Sequence, residues 1–382
     1  MAGIYFHIPF CKTKCIYCDF YSETGHDLLS DYKTALCEEL KNRRDYLQHE
    51  SVETIYFGGG TPSLLSAEFF HLVLDVIHNH YSVSSQPEVT IEANPDDLTT
   101  EYIAKLRLLP INRLSIGIQS FVDDELSFLN RRHTTSQAEN VIKECQHIGF
   151  DNISIDLMYG LPIQTIKSWQ YTLEKAIQLQ IQHISAYHLI YEIGTPLYKY
   201  LINKTITPVN DELSTTMFEK LIDMLVSSGF SHYEISNFAK TGYISKHNSS
   251  YWNRTKYLGV GAAAHSYNLL ERSYNVADIR QYIQGIYSGK SIAHSETINQ
   301  YMGYNEFVIT SLRTKWGISL IKLEALFGNE CKEYFLKQAK KYLSGGLLNF
   351  INHDVLRLSR KGIFVSDGIM ADLLFVEDEI QK

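Results

Sequence analysis

"YFHIPFCKTKCIYCDFY", residues 5–21, runs from a short β-type segment straight into a loop that holds three of the chain's six cysteines. The spacing is C-x3-C-x2-C, through Cys11, Cys15 and Cys18. A structural zinc site closes with four protein ligands, and the nearby histidines, His7 and His26, are oddly placed for a fourth. A redox C-x-x-C pair would leave Cys11 without a purpose. Three thiolates suit a 4Fe-4S cluster that keeps one iron free of protein, open to a substrate or cofactor. Cys37, Cys145 and Cys331 lie far apart in helical-looking segments and read as small buried hydrophobes.

Working outward from that loop, short β-type runs recur: "IYFHI" (4–8), "TIYFGGG" (54–60), "VTIEANP" (89–95), "RLSIGIQS" (113–120), "ISIDLMYGLP" (153–162) and "HISAYHLI" (183–190). Amphipathic stretches separate most of them, and another follows the sixth, with Leu213, Met217, Leu221 and Leu225 at helical spacing. Strands alternating with helices mean βαβ units and a parallel sheet. The alternation fades near residue 235, short of the roughly 250 residues of a closed eight-stranded barrel. The expected fold is therefore α/β, a six-stranded partial parallel β/α barrel over residues 1–235. Residues 236–298, rich in Tyr, Asn, Gly and Ser, read as a connecting region. Residues 299–382 read as a smaller, mainly helical, winged-helix-like domain.

In such barrels the chemistry sits on loops after the strand C-termini. The cysteine loop falls there, and so does "GGGTP" (58–62), whose missing Cβ atoms let a ligand approach the backbone. Glu92, Gln119 and Asp156 are polar groups where a barrel wall would favour hydrophobes. Each alone fits a satisfied core hydrogen bond; on successive strand ends they favour a site.

Composition narrows the function classes. The 382 residues are 45% hydrophobic and 20% charged, with a net charge of −8, so no overall attraction draws the chain to phosphate backbones or anionic lipid. Residues 301–382 hold 11 Lys/Arg against 10 Asp/Glu, too balanced for a surface that tracks phosphates. A packing or lid role is expected there, and no nucleic-acid partner. No signal peptide is legible, nor any run of about 18 apolar residues. The expected compartment is the cytoplasm, where clustered cysteines more often bind metal than form disulfides.

The cysteine motif and its setting resemble the radical S-adenosylmethionine (SAM) superfamily, in which the open iron chelates SAM. Beyond that loop, "GGGTP", "IEANP", "RLSIGIQSF", "LNRRH" and "IDLMYGLP" follow in the order of the family that unites oxygen-independent coproporphyrinogen III dehydrogenase (HemN) with the heme chaperones (HemW). The resemblance implies Cys11, Cys15 and Cys18 as cluster ligands. It implies Tyr5, Tyr17, Gly59, Gly60, Thr61 and Glu92 around the cluster-bound SAM, and Gln119, Arg131 and Asp156 at the positions that contact a second SAM in the dehydrogenase. The dehydrogenase loop continues C-x3-C-x2-C-x-C, and Phe20 stands at that last cysteine. The N-terminal segment that helps build the dehydrogenase's substrate site is not expected either, since Cys11 stands almost at the chain start.

"KHNSSYW" (246–252) matches the H-N-x-x-Y-W motif typical of the chaperones. The resemblance therefore implies heme carriage, with His247 as an axial ligand and Tyr251 and Trp252 as flat faces for the porphyrin. His265, in "GVGAAAHSY", is a second candidate, ranked lower because the surrounding Gly and Ala suggest tight backbone packing first. The implied partners are heme and a heme-acceptor protein, a membrane protein being one candidate. The alternative is the dehydrogenase reaction, oxidative decarboxylation of coproporphyrinogen III, for which the retained Gln119, Arg131 and Asp156 speak.

Overall fold

The computed structural model describes residues 1–25 and 27–376; His26 lies outside them. In chain order the first half contains β1 (Ala2–Ile8), α1 (Leu29–Asn42), β2 (Val52–Gly59), α2 (Ala67–His80), β3 (Val83–Ala93), α3 (Thr100–Arg107), β4 (Arg113–Gln119), α4 (Asp123–Phe128), α5 (Thr135–Ile148), β5 (Ile153–Tyr159), α6 (Ile166–Gln178) and β6 (His183–His188). Then come α7 (Pro196–Ile202), α8 (Asp211–Ser227), β7 (Ser231–Glu234), β8 (Asn237–Ala239), α9 (Lys246–Trp252), β9 (Lys256–Val260), β10 (His265–Tyr267), β11 (Glu271–Asn275), α10 (Ile279–Ser288) and β12 (Ala293–Thr297). The chain finishes with α11 (Gln300–Leu312), β13 (Ile318–Ser319), α12 (Leu320–Ser344), β14 (Leu348–Phe350), β15 (Val355–Leu358), α13 (Arg360–Ile363) and α14 (Ser366–Leu373).

Strands β1 to β6 lie side by side in sequence order and pair in parallel, as the alternation predicts. The sheet continues at both edges. Strand β9 adds in parallel to the free side of β1, from Ala2↔Lys256 to Phe6↔Val260, and β10, β11 and β12 follow antiparallel. At the other edge the β7–β8 hairpin adds to β6. Among the described residues this is one twelve-stranded open sheet. Residues 236–298 therefore do more than connect: β9 to β12 extend the sheet beside β1, and β8 extends it beside β6.

Period-two patterning orients the strands. In β4, Leu114, Ile116 and Ile118 are fully buried against the helices, whereas Arg113, Ser115 and Gln119 alternate with them on the concave face. In β5, Ile153, Ile155 and Leu157 alternate with Ser154 and Asp156 in the same way. A parallel sheet covered on both faces usually reads as continuous hydrophobic runs. Here the alternation persists because the concave face carries polar groups.

The helices are set by ordinary signals. Helices α5 and α6 open with capping boxes, Thr134 with Gln137 and Thr165 with Ser168, and α5 stops at Gly149 with φ +104°. Cys37, Cys145 and Cys331 are buried as expected, and burial pushes the Cys145 thiol up to about 12, leaving it unreactive.

From about residue 300 a second core forms around Tyr304, Phe307, Leu323, Phe335 and Leu356. Helices α11 to α14 pack with a three-stranded antiparallel sheet in the order β13–β15–β14, a helical module with a small wing. It meets the barrel through Lys315 N–H donating to Tyr233 O (3.0 Å), the Arg360–Asp223 ion pair (2.6 Å), and Arg313, whose guanidinium lies 5.2 Å from the Trp252 ring centre. No helix among the described residues is long and apolar enough to cross a membrane.

Candidate functional site

Strand β1 delivers the cysteine loop to the C-terminal rim of the sheet. The loop is closed on itself by Glu23 N–H donating to Pro9 O (2.7 Å) and Cys11 N–H donating to Glu23 O (2.9 Å). Lys12 pairs with the buried Asp97 (2.5 Å), which also accepts from Ser63 (3.0 Å), pinning the loop to the end of β3. Each thiol has a different environment. Thr61 donates to Sγ of Cys11 (3.4 Å), and the Arg131 guanidinium donates to Sγ of Cys15 (3.4 Å). Burial pushes the Cys18 thiol up to about 11, and the neighbouring Cys15 and Cys11 add to the rise.

A zinc ion would need a fourth donor. His7 does not supply it: Nδ1 lies 3.1 Å from the Tyr5 hydroxyl and Nε2 2.9 Å from Tyr21 O. Among the described residues no three His, Cys, Asp or Glu side chains stand close enough to share one ion. Three thiols spread around one loop match the donor set of a cluster that binds each through a different iron.

The three glycines that end β2 and follow it, Gly58 to Gly60, form a cradle that a side chain would fill. A Cβ on Gly60 would stand 2.7 Å from Ile8 O, 2.8 Å from Phe10 O and 3.1 Å from Sγ of Cys11. Gly59, at φ +107°, is in the left-handed region, and its N–H donates to Glu92 (3.0 Å). The other Glu92 oxygen accepts from Tyr56 (2.8 Å), and burial pushes this carboxyl up to about 7. Asp156 is pushed up to about 6, again by burial.

Gln119, Arg131 and Asp156 converge around Gly117. A Cβ there would lie 3.1 Å from the Gln119 amide nitrogen and 3.2 Å from the Arg131 guanidinium, and Gly117 is the register partner of Asp156. Arg131 also donates to Gly117 O (2.6 Å) and to Asn94 Oδ1 (2.5 Å), while burial raises the Tyr17 hydroxyl beside it and Cys15. Asn94 in turn donates to Thr61 (3.3 Å). Asn94 thus links two residues singled out in the sequence, Arg131 and Thr61, without having been singled out itself. Its place in "IEANP", two residues after an inward-facing acid and so in the same phase of the strand, was the available signal.

The H-N-x-x-Y-W residues do not gather on one surface. His247 is 1% exposed, at the opposite, N-terminal end of the barrel. Its Nδ1 lies 2.8 Å from the Thr54 hydroxyl and its Nε2 2.9 Å from the Tyr251 hydroxyl, and its ring stacks on Tyr56 at 4.8 Å. Both ring nitrogens are engaged in the unliganded barrel, so iron ligation by His247 would require Thr54 or Tyr251 to release its bond. Trp252 points the other way, toward Arg313 of the C-terminal module. Tyr251 alone reaches a cavity of about 360 Å³ beside the cluster loop, where Tyr5, His7, Phe20, Tyr257 and His265 also stand.

The barrel interior predicts an acid response. Burial holds His247 down to about 3 and His133 down to about 4, and keeps His183 well below the usual range. Unfolded imidazoles take up protons near 6.5, so the unfolded state binds more protons as pH falls, and stability is lost from about pH 6.5 downward. Glu92 and Asp156, raised rather than lowered, act in the opposite sense below about pH 7. A His247→Gln variant isolates one group. Its stability deficit against wild type should shrink by up to about 1.4 kcal/mol per pH unit between pH 6 and pH 4. Urea midpoints across that range test this; parallel curves would mean His247 is not buried as a neutral ring.

Comparison with known proteins agrees with this geometry. Residues 5–176 match the model of the radical SAM superfamily, and residues 303–365 that of the HemN C-terminal domain. The heme chaperone HemW of Lactococcus lactis is 32% identical over 97% of this chain and 96% of its own. That of Bacillus subtilis is 35% identical over 91% and 93%. Among solved structures, the coproporphyrinogen III oxidase HemN of Escherichia coli superposes with a TM-score of 0.84, at 21% identity, over 97% of this chain and 89% of its own, a likeness of fold. Similarity of this length and level to the heme chaperones means that the chain belongs to the HemW family of the radical SAM superfamily.

Proposed function

We propose that the protein is a cytoplasmic heme chaperone that carries a 4Fe-4S cluster and SAM and passes heme to an acceptor protein. The observation that carries this reading is near full-length similarity to proteins named as heme chaperones. Two features support it. Phe20, at the position of the dehydrogenase's last motif cysteine, is 60% exposed beside the cavity, where an apolar surface serves a flat ligand better than a fourth thiol would. The cavity walls are mainly aromatic.

Cys11, Cys15 and Cys18 would hold the cluster. Tyr5, Tyr17, Gly59, Gly60, Thr61 and Glu92 would surround SAM, whose reductive cleavage is the chemistry the loaded cluster supplies. Arg131, donating to Cys15, would stabilise the more negative, reduced state of a cluster bound there. Glu92, pushed up to about 7, would sit near half-protonation at neutral pH in the unloaded barrel and offer either a donor or an acceptor to a ribose hydroxyl. Gln119, Arg131 and Asp156 keep a polar pocket for a second ligand. Functionally we divide the chain into a cluster barrel (1–235), a heme-side segment (236–298) and a covering module (299–382).

The test is anaerobic reconstitution of the cluster, followed by SAM, reductant and either heme or coproporphyrinogen III. Heme uptake at about one per chain, with no protoporphyrinogen by mass spectrometry, is the expected result. Protoporphyrinogen at catalytic yield would overturn the reading in favour of the dehydrogenase.

A further inference from the structure

Strand β4 ends in a conformation that its residues do not favour. Gln119 has φ +68°, and the Ser120 N–H donates back to Ile118 O (2.9 Å), closing a three-residue γ-turn with Gln119 at its centre. The γ-turn with positive φ is the rare, strained form, and a residue with a Cβ makes it costlier still. The turn coincides with a shift in the pairing of β4 with β5, between Gly117↔Asp156 and Gln119↔Leu157. Its effect is on one side chain. Gln119 is 8% exposed, and among the described residues its amide group has no hydrogen-bond partner. The amide nitrogen and the Arg131 guanidinium both lie within 3.2 Å of one point beside Gly117.

Strain of this kind persists only where the surroundings over-determine it, and here a carboxyl does the holding. Glu125, in α4, is 2% exposed. Its Oε2 accepts from the Ser120 hydroxyl (2.6 Å) and from the Gln164 amide (3.0 Å). The Ser120 hydroxyl accepts in turn from the Val122 N–H (3.0 Å), and Thr172 of α6 accepts from the Phe121 N–H (3.3 Å), so the chain just after the turn is fixed as well. Gln164 accepts from the Gly160 N–H (2.8 Å) and donates to Met158 O (3.3 Å). One carboxyl oxygen therefore ties the end of β4 to the turn after β5, and these two strands carry Gln119 and Asp156. The other oxygen, Oε1, is buried with no partner among the described residues, and no Lys or Arg there pairs with the group. A carboxyl buried against two neutral donors is a costly staple.

Resting on the reading above of a polar ligand pocket among Gln119, Arg131 and Asp156, we infer that Glu125 is a positioning residue for that pocket: it holds the γ-turn that presents the Gln119 amide to the ligand bound there. The coupling runs through a single residue. Ser120 supplies both the N–H that closes the turn and the hydroxyl that Glu125 grips. Without the grip, Ser120 is free to turn its N–H away from Ile118 O, and Gln119 returns to the extended backbone of β4, which any L-residue adopts at less cost. Its amide then leaves the point it shares with the Arg131 guanidinium. Only Oε2 of Glu125 is engaged, so glutamine at this position keeps both bonds, whereas alanine keeps neither.

The test is a double-mutant cycle on the cluster-loaded protein, with SAM as the probe and isothermal titration calorimetry as the readout. Iron content and circular dichroism check that each variant is folded and loaded. Gln119→Ala should weaken SAM binding about fivefold or more. Glu125→Ala and the milder Ser120→Ala should each weaken it severalfold, and neither should weaken it further when added to Gln119→Ala, because they act through the same amide. Glu125→Gln should bind SAM as wild type does. Wild-type affinity in a folded, cluster-bearing Ser120→Ala or Glu125→Ala would overturn the inference. So would a loss that multiplies with that of Gln119→Ala, the mark of a residue that supports the fold in general. Unchanged SAM binding in Gln119→Ala itself would overturn the reading of the pocket, and the inference with it.

Discussion

Replacing Cys15 with alanine is expected to take bound iron from about four per chain after anaerobic reconstitution to below about one. A cluster held by three protein thiolates has no spare ligand on the protein side, and His7 is locked between Tyr5 and Tyr21. The fold should survive, because Cys15 lies on a partly exposed loop whose closure runs through the backbone of Pro9, Cys11 and Glu23. Iron and acid-labile sulfide analysis, with circular dichroism as the control, measures this. Cys145→Ala, which removes a thiol buried in α5, should leave iron content unchanged. Full iron retention in the Cys15 variant would mean that the motif is not the ligand set.

The second large effect is on stability. Glu39 in α1 is 1% exposed and gathers donors from four places: Arg43 (3.0 Å), Asn275 (2.8 Å), the Gly261 N–H (2.8 Å) and the Tyr282 hydroxyl (2.7 Å). It ties the β9–β10 reversal, β11 and α10 to the first helix of the barrel. Glu39→Ala strips one acceptor from all four and leaves the half-buried Arg43 with only the neutral acceptors Gly259 O and Ser266 Oγ. Breaking a buried, hydrogen-bonded ion pair by removing one side costs about 3–5 kcal/mol. Urea unfolding should report a loss of that size, and Glu39→Gln, which keeps the shape and one acceptor, a smaller one. A loss under about 1 kcal/mol would mean that water replaces the carboxylate.

The part of this architecture written in local pattern was legible. Strands β1 to β6 each carry β-branched or aromatic residues in a short run and are separated by helical periodicity, so their order follows from chain order. Strand β9 was not legible. "KYLGV" is five residues long in a polar stretch, and its partner is β1, from the far end of the chain; pairing across such a distance leaves no local trace. Site residues divided along the same line. The cysteines, glycines and inward acids announce themselves by type and position. His247 is less plainly marked, because its motif spacing serves two readings, and the ligand reading comes only from the family resemblance. The same spacing holds a structural reading: His247 and Tyr251 are four apart, neighbours on one helix face, and so placed to bond each other. Thr54 and Arg113, which line the floor near His247, could have been found by following the inward phase of β2 and β4 downward from Tyr56 and Gln119.

The pairing of β1 with β9 has a consequence for biogenesis. The strand that presents the cysteine loop leaves the ribosome well before residues 256–260, for which one of its two edges must wait. Contacts this distant in sequence form late. Until then the loop hangs from a half-paired strand, and the Glu39 anchor for the β9–β10 turn is unmade. Iron and sulfide can reach the thiols throughout that interval, whereas the wall that carries His265 closes only afterwards. The order of synthesis therefore favours acquisition of the cluster before the cavity beside the cysteine loop exists.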